Sequence, residues 1–347
     1  MKRSTVHVFS FILIFALLTF TFCACGKVEK APDGTDSIAD TSSDSAPETQ
    51  GQTDSEQVGT ESPDSDLGTE APDTEPETAP DTEAPAQDTP KVANLRIISY
   101  NVLCELWNDR IPVPGRDKVV AGLIDDKLPH VVAFQELSTT WYSALDGLIG
   151  DEYAFVNKLT AEGKSNYSGL AYNKARVRLI QDGCEPYSVG DTDIRLMNWG
   201  YFELIEGGER FIVMSTHWNT SVDEEPKNKF KLVHAAEMGQ RVKELALDFE
   251  CPVIAAGDFN AGRSTEEYKL YEKLSSAKDA MEHADERINA DHYTMHVMGI
   301  TPPIFGNSID HITYTADAHA LRFEHFIDQP YLNASDHTPL MCDFRIK

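Results

Sequence analysis

Residues 26–90 contain no Phe, Trp or Tyr, although the whole chain carries 16 Phe, 4 Trp and 12 Tyr. A segment with so little apolar surface cannot offset the entropy of ordering itself. Its many Thr, Ser, Pro, Asp and Glu, with degenerate echoes such as Pro72-Asp73-Thr74-Glu75 and Pro80-Asp81-Thr82-Glu83, point instead to a disordered, self-repelling tether. A dedicated binding region is the alternative. Basic residues are also scarce: 30 Lys and Arg stand against 57 Asp and Glu, for a net charge of −27. The tether's 18 acidic and 2 basic residues account for −16 of this and Lys2 and Arg3 for +2, which leaves −13 for residues 91–347. An acidic domain gains nothing from counterion release on a phosphate backbone, so a high-affinity nucleic-acid binder is disfavoured. A nuclease is not, because bound divalent cations reverse the local field. Paired Cys-x-x-Cys units are missing, which removes the usual zinc patterns. Cys104, Cys184, Cys251 and Cys342 could form disulfides in any of three pairings or stay as buried thiols. No Gly-x-Ser-x-Gly elbow is present, and no residue offers a covalent nucleophile.

Lys2 and Arg3, the apolar stretch from Val8 to Phe22 and the cluster Cys23-Ala24-Cys25-Gly26 make a secretory signal layout over residues 1–25. The apolar stretch falls short of the roughly 20 residues of a membrane-spanning helix, which favours a processed signal. Cys25, between Ala24 and Gly26, resembles a bacterial lipoprotein cleavage site, although Phe22 and Cys23 replace the usual aliphatic and small residues. The expected product is lipidated at Cys25 and held on the extracellular face of the cell membrane, with plain secretion or an uncleaved anchor as alternatives. Residues 91–347 have the length of one large α/β domain.

Within that domain, Leu95–Asn101 reads as a strand, Arg116–Leu128 as an amphipathic helix and His130–Gln135 as a second strand ending on Glu136. This is the opening of an α/β layer. Thr139–Ile149 reads as a helix. The strands Tyr153–Val156, Gly169–Tyr172, Val177–Ile180, Tyr201–Ile205 and Phe211–Thr216 follow without helices, which implies antiparallel pairing. A long helix is expected over Pro226–Phe249, with Pro226 suited to its first turn. It leads into the strand Pro252–Ala256. A helix near Thr265–Leu274 and strands around Ile309–Tyr314, Leu321–Phe326 and Thr338–Arg345 complete the chain.

Polar residues at the carboxyl ends of apolar strands are informative, because the strand holds the backbone while the side chain enters a cleft. Asn101, Gln135-Glu136, His217 and Asp258 with Asn260 sit this way, while Asp310-His311 interrupts another apolar segment and Asp336-His337 precedes the last strand. Together they supply the hard oxygen ligands, amides and imidazoles that Mg²⁺ or Mn²⁺ phosphate chemistry requires. Singly, each has an ordinary reading. Glu136 could be a solvated carboxylate, Gly257-Asp258-Phe259-Asn260 a turn, Ser335-Asp336-His337 a side-chain-to-backbone turn and His217 a structural histidine. Their joint occurrence and order change the weighing.

The ordered set Ser99-Tyr100-Asn101-Val102, Phe134-Gln135-Glu136, Ser215-Thr216-His217-Trp218-Asn219, Gly257-Asp258-Phe259-Asn260, Ser308-Ile309-Asp310-His311-Ile312 and Ser335-Asp336-His337-Thr338-Pro339-Leu340 resembles the endonuclease/exonuclease/phosphatase superfamily over residues 95–346. The resemblance implies a four-layered α/β sandwich, two packed mixed β-sheets with helices outside. It implies a metal-dependent hydrolase acting on phosphodiesters or phosphomonoesters, with Glu136 as principal ligand and Asn101 and Asp336 near the same Mg²⁺ or Mn²⁺. Asp258 would orient and deprotonate the attacking water, and Asn260 would donate to a phosphate oxygen. Asp310 would hold His337 in one tautomer, and His217 would contact phosphate or assist the leaving group. Asn219 and Trp218 are candidate substrate contacts, buried packing being an equal reading of Trp218, and Trp107, Trp141 and Trp199 could be core residues. Leu103 stands where the apurinic-site nuclease branch carries a carboxylate, so a single Glu136-centred site is expected. The expected partners are a phosphoester (small molecule, lipid head group or nucleic acid) and the membrane through the lipid anchor, with the chain a monomer. An extracellular nuclease, a sphingomyelinase-type phospholipase C and a catalytically silent surface-binding module are the competing readings.

Overall fold

In the computed structural model the described residues are 92–105, 111–156, 168–190, 195–220, 229–304 and 308–347. All fall within the compact unit Thr82–Lys347. The signal, Cys25, the tether, Trp107 and Pro226 lie outside the described residues.

Strand β1 (Leu95–Asn101) feeds helix α1 (Arg116–Lys127), which returns to a parallel strand, β2 (Val131–Gln135). Later in the chain β7 (Arg210–His217), α3 (Phe230–Phe249) and β8 (Val253–Asp258) repeat that strand, helix, strand unit. Between them run α2 (Thr139–Ile149), β3 (Tyr153–Val156), β4 (Gly169–Asn173), β5 (Val177–Pro186) and β6 (Leu196–Leu204). After β8 come α4 (Glu266–Ser275), β9 (Lys278–Asp279), α5 (Ala280–His283), β10 (Glu286–Ile288), β11 (Asp310–Tyr314), β12 (Ala318–His325) and β13 (Leu340–Ile346). One sheet has seven strands in the order β10-β12-β13-β1-β2-β4-β3, and the other six in the order β5-β6-β7-β8-β11-β9. The helix-free run from β3 to β7 pairs antiparallel wherever consecutive strands are neighbours. Sequence-expected boundaries shift by a few residues, most at β5 and β6, which pair over nine positions.

Strand parity decides the layers. Successive strand side chains point to opposite faces. Ile97 and Ala133 therefore join Phe202, Val213, Ile254 and Phe344 between the sheets, whereas Ile98, Val132 and Phe134 pack outward against Leu123, Ile124, Trp141 and Leu145 of α1 and α2. Across the second sheet Ile212, Met214, Val253 and Ala255 meet Met238, Val242, Leu245, Tyr268 and Tyr271 of α3 and α4. This gives the expected four layers. Each large apolar side chain so buried contributes about 1.5–3 kcal/mol.

The helices begin where local chemistry lets them. Ser138 accepts from the backbone N–H of Trp141 at the start of α2, and Thr265 accepts from that of Tyr268 at the start of α4. Gly257 is required where β8 turns towards its terminal carboxylate. Its φ is +152°, and a Cβ there would lie 2.0 Å from the Thr216 carbonyl oxygen.

Candidate active site

The carboxyl ends of β1, β2, β7 and β8 meet at one end of the sandwich. Register places Asn101 beside Gln135, His217 beside Asp258 and Asp310 beside Asp258, so three strands of the second sheet deliver their polar residues side by side. Asn101, His217, Asp258, Asp310 and His337 are buried. Glu136, Asn260 and Asp336 are partly exposed above them. The site thus has a dry floor and a polar mouth.

Asn101 joins the sheets. Its Nδ2 donates to Asp258 Oδ2 at 3.1 Å and to Glu136 Oε1 at 3.3 Å. Its Oδ1 accepts from the Leu103 N–H at 3.1 Å, which settles which end of the amide faces the carboxylates. In this geometry Asn101 supports two carboxylates with protons rather than presenting an oxygen to a shared cation. Glu136 Oε2 accepts from the Cys104 N–H at 2.7 Å. Leu103, Glu136 and Asn260 all have positive φ, at 57°, 58° and 48°. Non-glycine residues are seldom held there, and such strain clusters at functional sites.

On the other side, His337 Nδ1 donates to Asp310 Oδ2 at 2.8 Å, and its Nε2 lies 3.8 Å from Asp258 Oδ2. His217 Nε2 lies 3.3 Å from the same oxygen, while its Nδ1 is buried without a partner among the described residues. Asp258 Oδ1 accepts from the Asn260 N–H at 2.8 Å, and Asn260 Nδ2 donates to the Trp218 carbonyl at 3.0 Å. Burial, then the neighbouring Asp310, pushes the Asp258 carboxyl up to about 7. Burial also raises Glu136. At His337 burial opposes the charge, but Asp310 and Asp258 outweigh it and hold the imidazolium well above the usual histidine range. Burial holds His217 well below that range and hence neutral.

These residues fit a divalent cation. Ligand atoms of Asp258, Asp310 and His337 lie within 4.8 Å of one another. Asp310 and His337 already satisfy each other, whereas Asp336 Oδ1 is a buried acceptor with no partner among the described residues. Carboxylates whose ionisation is opposed by burial, beside an orphaned carboxylate oxygen, leave a deficit of positive charge that such an ion offsets.

Trp218 is a correction. It is 0% exposed, stacks on Phe259 at 4.6 Å and donates through Nε1 to Tyr187 Oη at 3.1 Å, so it belongs to the core beneath α3 and not to a substrate pocket. Asn219 is buried next to it, its backbone N–H donating to His234 Nδ1 at 3.2 Å. Trp141 and Trp199 are core residues. Among the described residues, Cys104, Cys184, Cys251 and Cys342 form no disulfide with one another.

Sequence reasoning missed Lys231. This largely buried lysine on α3 donates through Nζ to the Asn260 carbonyl at 2.7 Å, propping the left-handed residue. A lysine interrupting a buried helix face with His234, Ala235 and Met238 was the available signal. A large cavity, about 900 Å³ and lined by Arg210, Pro252 and Lys278 among others, lies at the opposite ends of β7 and β8 and holds none of these groups.

Residues 98–337 match the Endonuclease/Exonuclease/phosphatase family. The chain belongs to this family. A sequence search of curated proteins finds no match. Solved structures share the family fold. A Bacteroides vulgatus endonuclease/exonuclease/phosphatase superposes with a TM-score of 0.64 at 21% identity, covering 73% of this chain and 99% of that one. A mannosyl-6-phosphatase of Bacteroides thetaiotaomicron gives 0.62 at 19% identity, covering 73% and 100%. The D. rerio TDP2, solved with a single-strand DNA product, gives 0.58 at 19% identity, covering 72% and 98%. As a member of the endonuclease/exonuclease/phosphatase family, the chain is a phosphoester hydrolase in class.

Proposed function

We propose that this chain hydrolyses phosphodiester or phosphomonoester bonds with Mg²⁺ or Mn²⁺, water attacking phosphorus in line. The observation that carries the reading is the single buried oxygen, Asp258 Oδ2, faced by Asn101, His217 and His337 from both sheets. A carboxylate so placed can orient a water and take its proton, and its raised pKa brings its basicity nearer to the task. His337, kept charged by Asp310, opposes the negative charge that gathers on the phosphoryl oxygens. Neutral His217, whose Nε2 faces Asp258 Oδ2, would contact the phosphate or assist the leaving group. The second N–H of Asn260 would donate to a non-bridging oxygen, with Asn219 a further candidate for the same cradle. Glu136 and Asp336 would hold the cation, with Asn101 orienting Glu136. The bound cation would supply charge stabilisation at the phosphoryl oxygens.

The same reading has the chain acting as a monomer. The signal layout, Cys25 and the acidic tether support placement on the extracellular face of the membrane, testable by radiolabelled-palmitate incorporation in the chain and its loss in Cys25→Ser.

The deciding experiment is hydrolysis of bis-p-nitrophenyl phosphate and p-nitrophenyl phosphate by the purified chain with Mg²⁺ or Mn²⁺. Activity should vanish in chelator and in Asp258→Ala. Undiminished activity under either condition would overturn the mechanism. Parallel assays on plasmid DNA, RNA, sphingomyelin and inositol phosphates assign the substrate class.

A further inference from the structure

Arg116, the first residue of α1, is 7% exposed, and all its hydrogen-bond partners are backbone carbonyls. Its five N–H groups are all engaged. Nε donates to Pro112 O at 3.0 Å, Nη1 to Val102 O at 2.7 Å and Ala334 O at 2.8 Å, and Nη2 to Leu103 O at 2.9 Å and Ile111 O at 3.1 Å. The guanidinium lies 4.8 Å from the Trp141 ring centroid, and Trp141 Nε1 donates to the same Leu103 carbonyl at 3.1 Å. Burial opposes this charge and draws its pKa below the ordinary arginine value.

The carbonyls belong to three segments that the sequence keeps apart, and two of them border the candidate metal pocket. Residues 102–103 follow Asn101. There the Leu103 N–H anchors Asn101 Oδ1, and the next N–H, of Cys104, clamps Glu136 Oε2. Leu103 has a φ of 57°, so this short segment depends on outside support to stay in place. Ala334 precedes Ser335, whose Oγ donates to the Asn101 carbonyl at 2.7 Å and accepts from the His337 N–H at 3.1 Å, and then Asp336. Arg116 therefore ties the loop that clamps Glu136 to the loop that carries Asp336.

We infer that Arg116 is a positioning residue that sets the spacing of Glu136 and Asp336, and through it the affinity of the site for a divalent cation. It bonds to neither carboxylate and acts through the backbone of residues 102–103 and 334. The inference rests on the proposed reading of Glu136 and Asp336 as cation ligands. A planar fork with five donors is needed for this task, and an ammonium with three cannot span the same carbonyls. Charge alone predicts the opposite effect. A buried cation near Asp336 repels a metal ion, so removing it would strengthen binding if Arg116 mattered only as a charge.

The test is calorimetric titration of Mn²⁺ into the full chain without substrate, normalised to the folded fraction from circular dichroism. Arg116→Lys keeps the charge and loses the fork, and Arg116→Met loses both. Both should weaken Mn²⁺ binding about 10- to 100-fold, the range for partners that orient metal ligands. Trp141→Phe keeps the ring and removes only the N–H to Leu103, and stands in if the arginine variants fail to fold. It should weaken binding about threefold, the lesser effect of losing one partner of that kind. Binding within twofold of wild type in the folded variants, or tighter binding in Arg116→Met, overturns the inference. A wild-type chain that binds Mn²⁺ but cleaves no phosphoester overturns the proposed function and leaves this comparison intact, whereas one that binds no Mn²⁺ overturns both.

Discussion

Asp310 and His337 form a buried pair, Nδ1 to Oδ2 at 2.8 Å, although they stand 27 residues apart, Asp310 at the start of β11 and His337 in the loop before β13. The carboxylate orients the ring, turns Nε2 towards Asp258 and keeps the imidazolium charged. Asp310→Asn preserves the shape and an acceptor for Nδ1 but removes the counter-charge. Steady-state kinetics should show kcat lower by about 10²- to 10³-fold, with KM changed far less. A kcat within threefold of wild type would remove Asp310 from the mechanism.

Asp258 is held where its ionised form is disfavoured, by burial first and Asp310 second. Its folded pKa lies above the unfolded value, so above pH 4 the carboxylate works against folding. Asp258→Asn should abolish hydrolysis and, in chelator at pH 7.5, raise the thermal midpoint by a few degrees, for a gain of about 0.5–2 kcal/mol. A lowered midpoint would show that the hydrogen bonds from Asn101 and the Asn260 N–H to the carboxylate outweigh the burial of charge.

Acid stability is set partly away from the site. His130 accepts the Arg96 N–H through Nδ1 at 3.0 Å, and burial followed by Arg176 and Arg96 lowers its pKa to about 4. The unfolded chain binds this proton near pH 6.5, so between pH 6.5 and 4 it carries more protons than the folded one and stability falls as pH falls. The loss should approach about 2–3 kcal/mol. His130→Gln keeps an acceptor and does not titrate, so its urea midpoint should fall less between pH 7 and 5. Equal slopes would exclude His130 as a source.

Gly257→Ala should cost about 2–4 kcal/mol, because the new methyl meets the Thr216 carbonyl in a backbone conformation that alanine avoids. Since Thr216 and Asp258 flank the contact, activity per folded molecule should fall as well. A thermal midpoint within two degrees of wild type, on the scale where about 1 kcal/mol moves it a few degrees, would show that the β7–β8 junction yields.

The chain order of Asn101, Glu136, His217, Asp258, Asp310 and His337, and the apolar strands that deliver them, were legible in the sequence, because strand pattern and terminal position are local properties. The four layers were expected from the family resemblance, and the alternating burial of the strands agrees with them. Trp218 was not legible. An aromatic beside a site residue points to the cleft or to the core by strand parity and by what the next layer offers, and here α3 offers Met238 and Tyr187 offers its hydroxyl. The direction of the Asn101 amide depended on Leu103, and Lys231 and Arg116 acquired their roles from carbonyls 29 and 218 residues away. Sequence by itself determined which residues could do chemistry and at which end of the fold they lie, because periodicity and strand ends are written locally. Tertiary structure alone decided which atoms of those residues face one another. Those contacts arise when two sheets close on each other, and no residue's neighbours along the chain encode that closure.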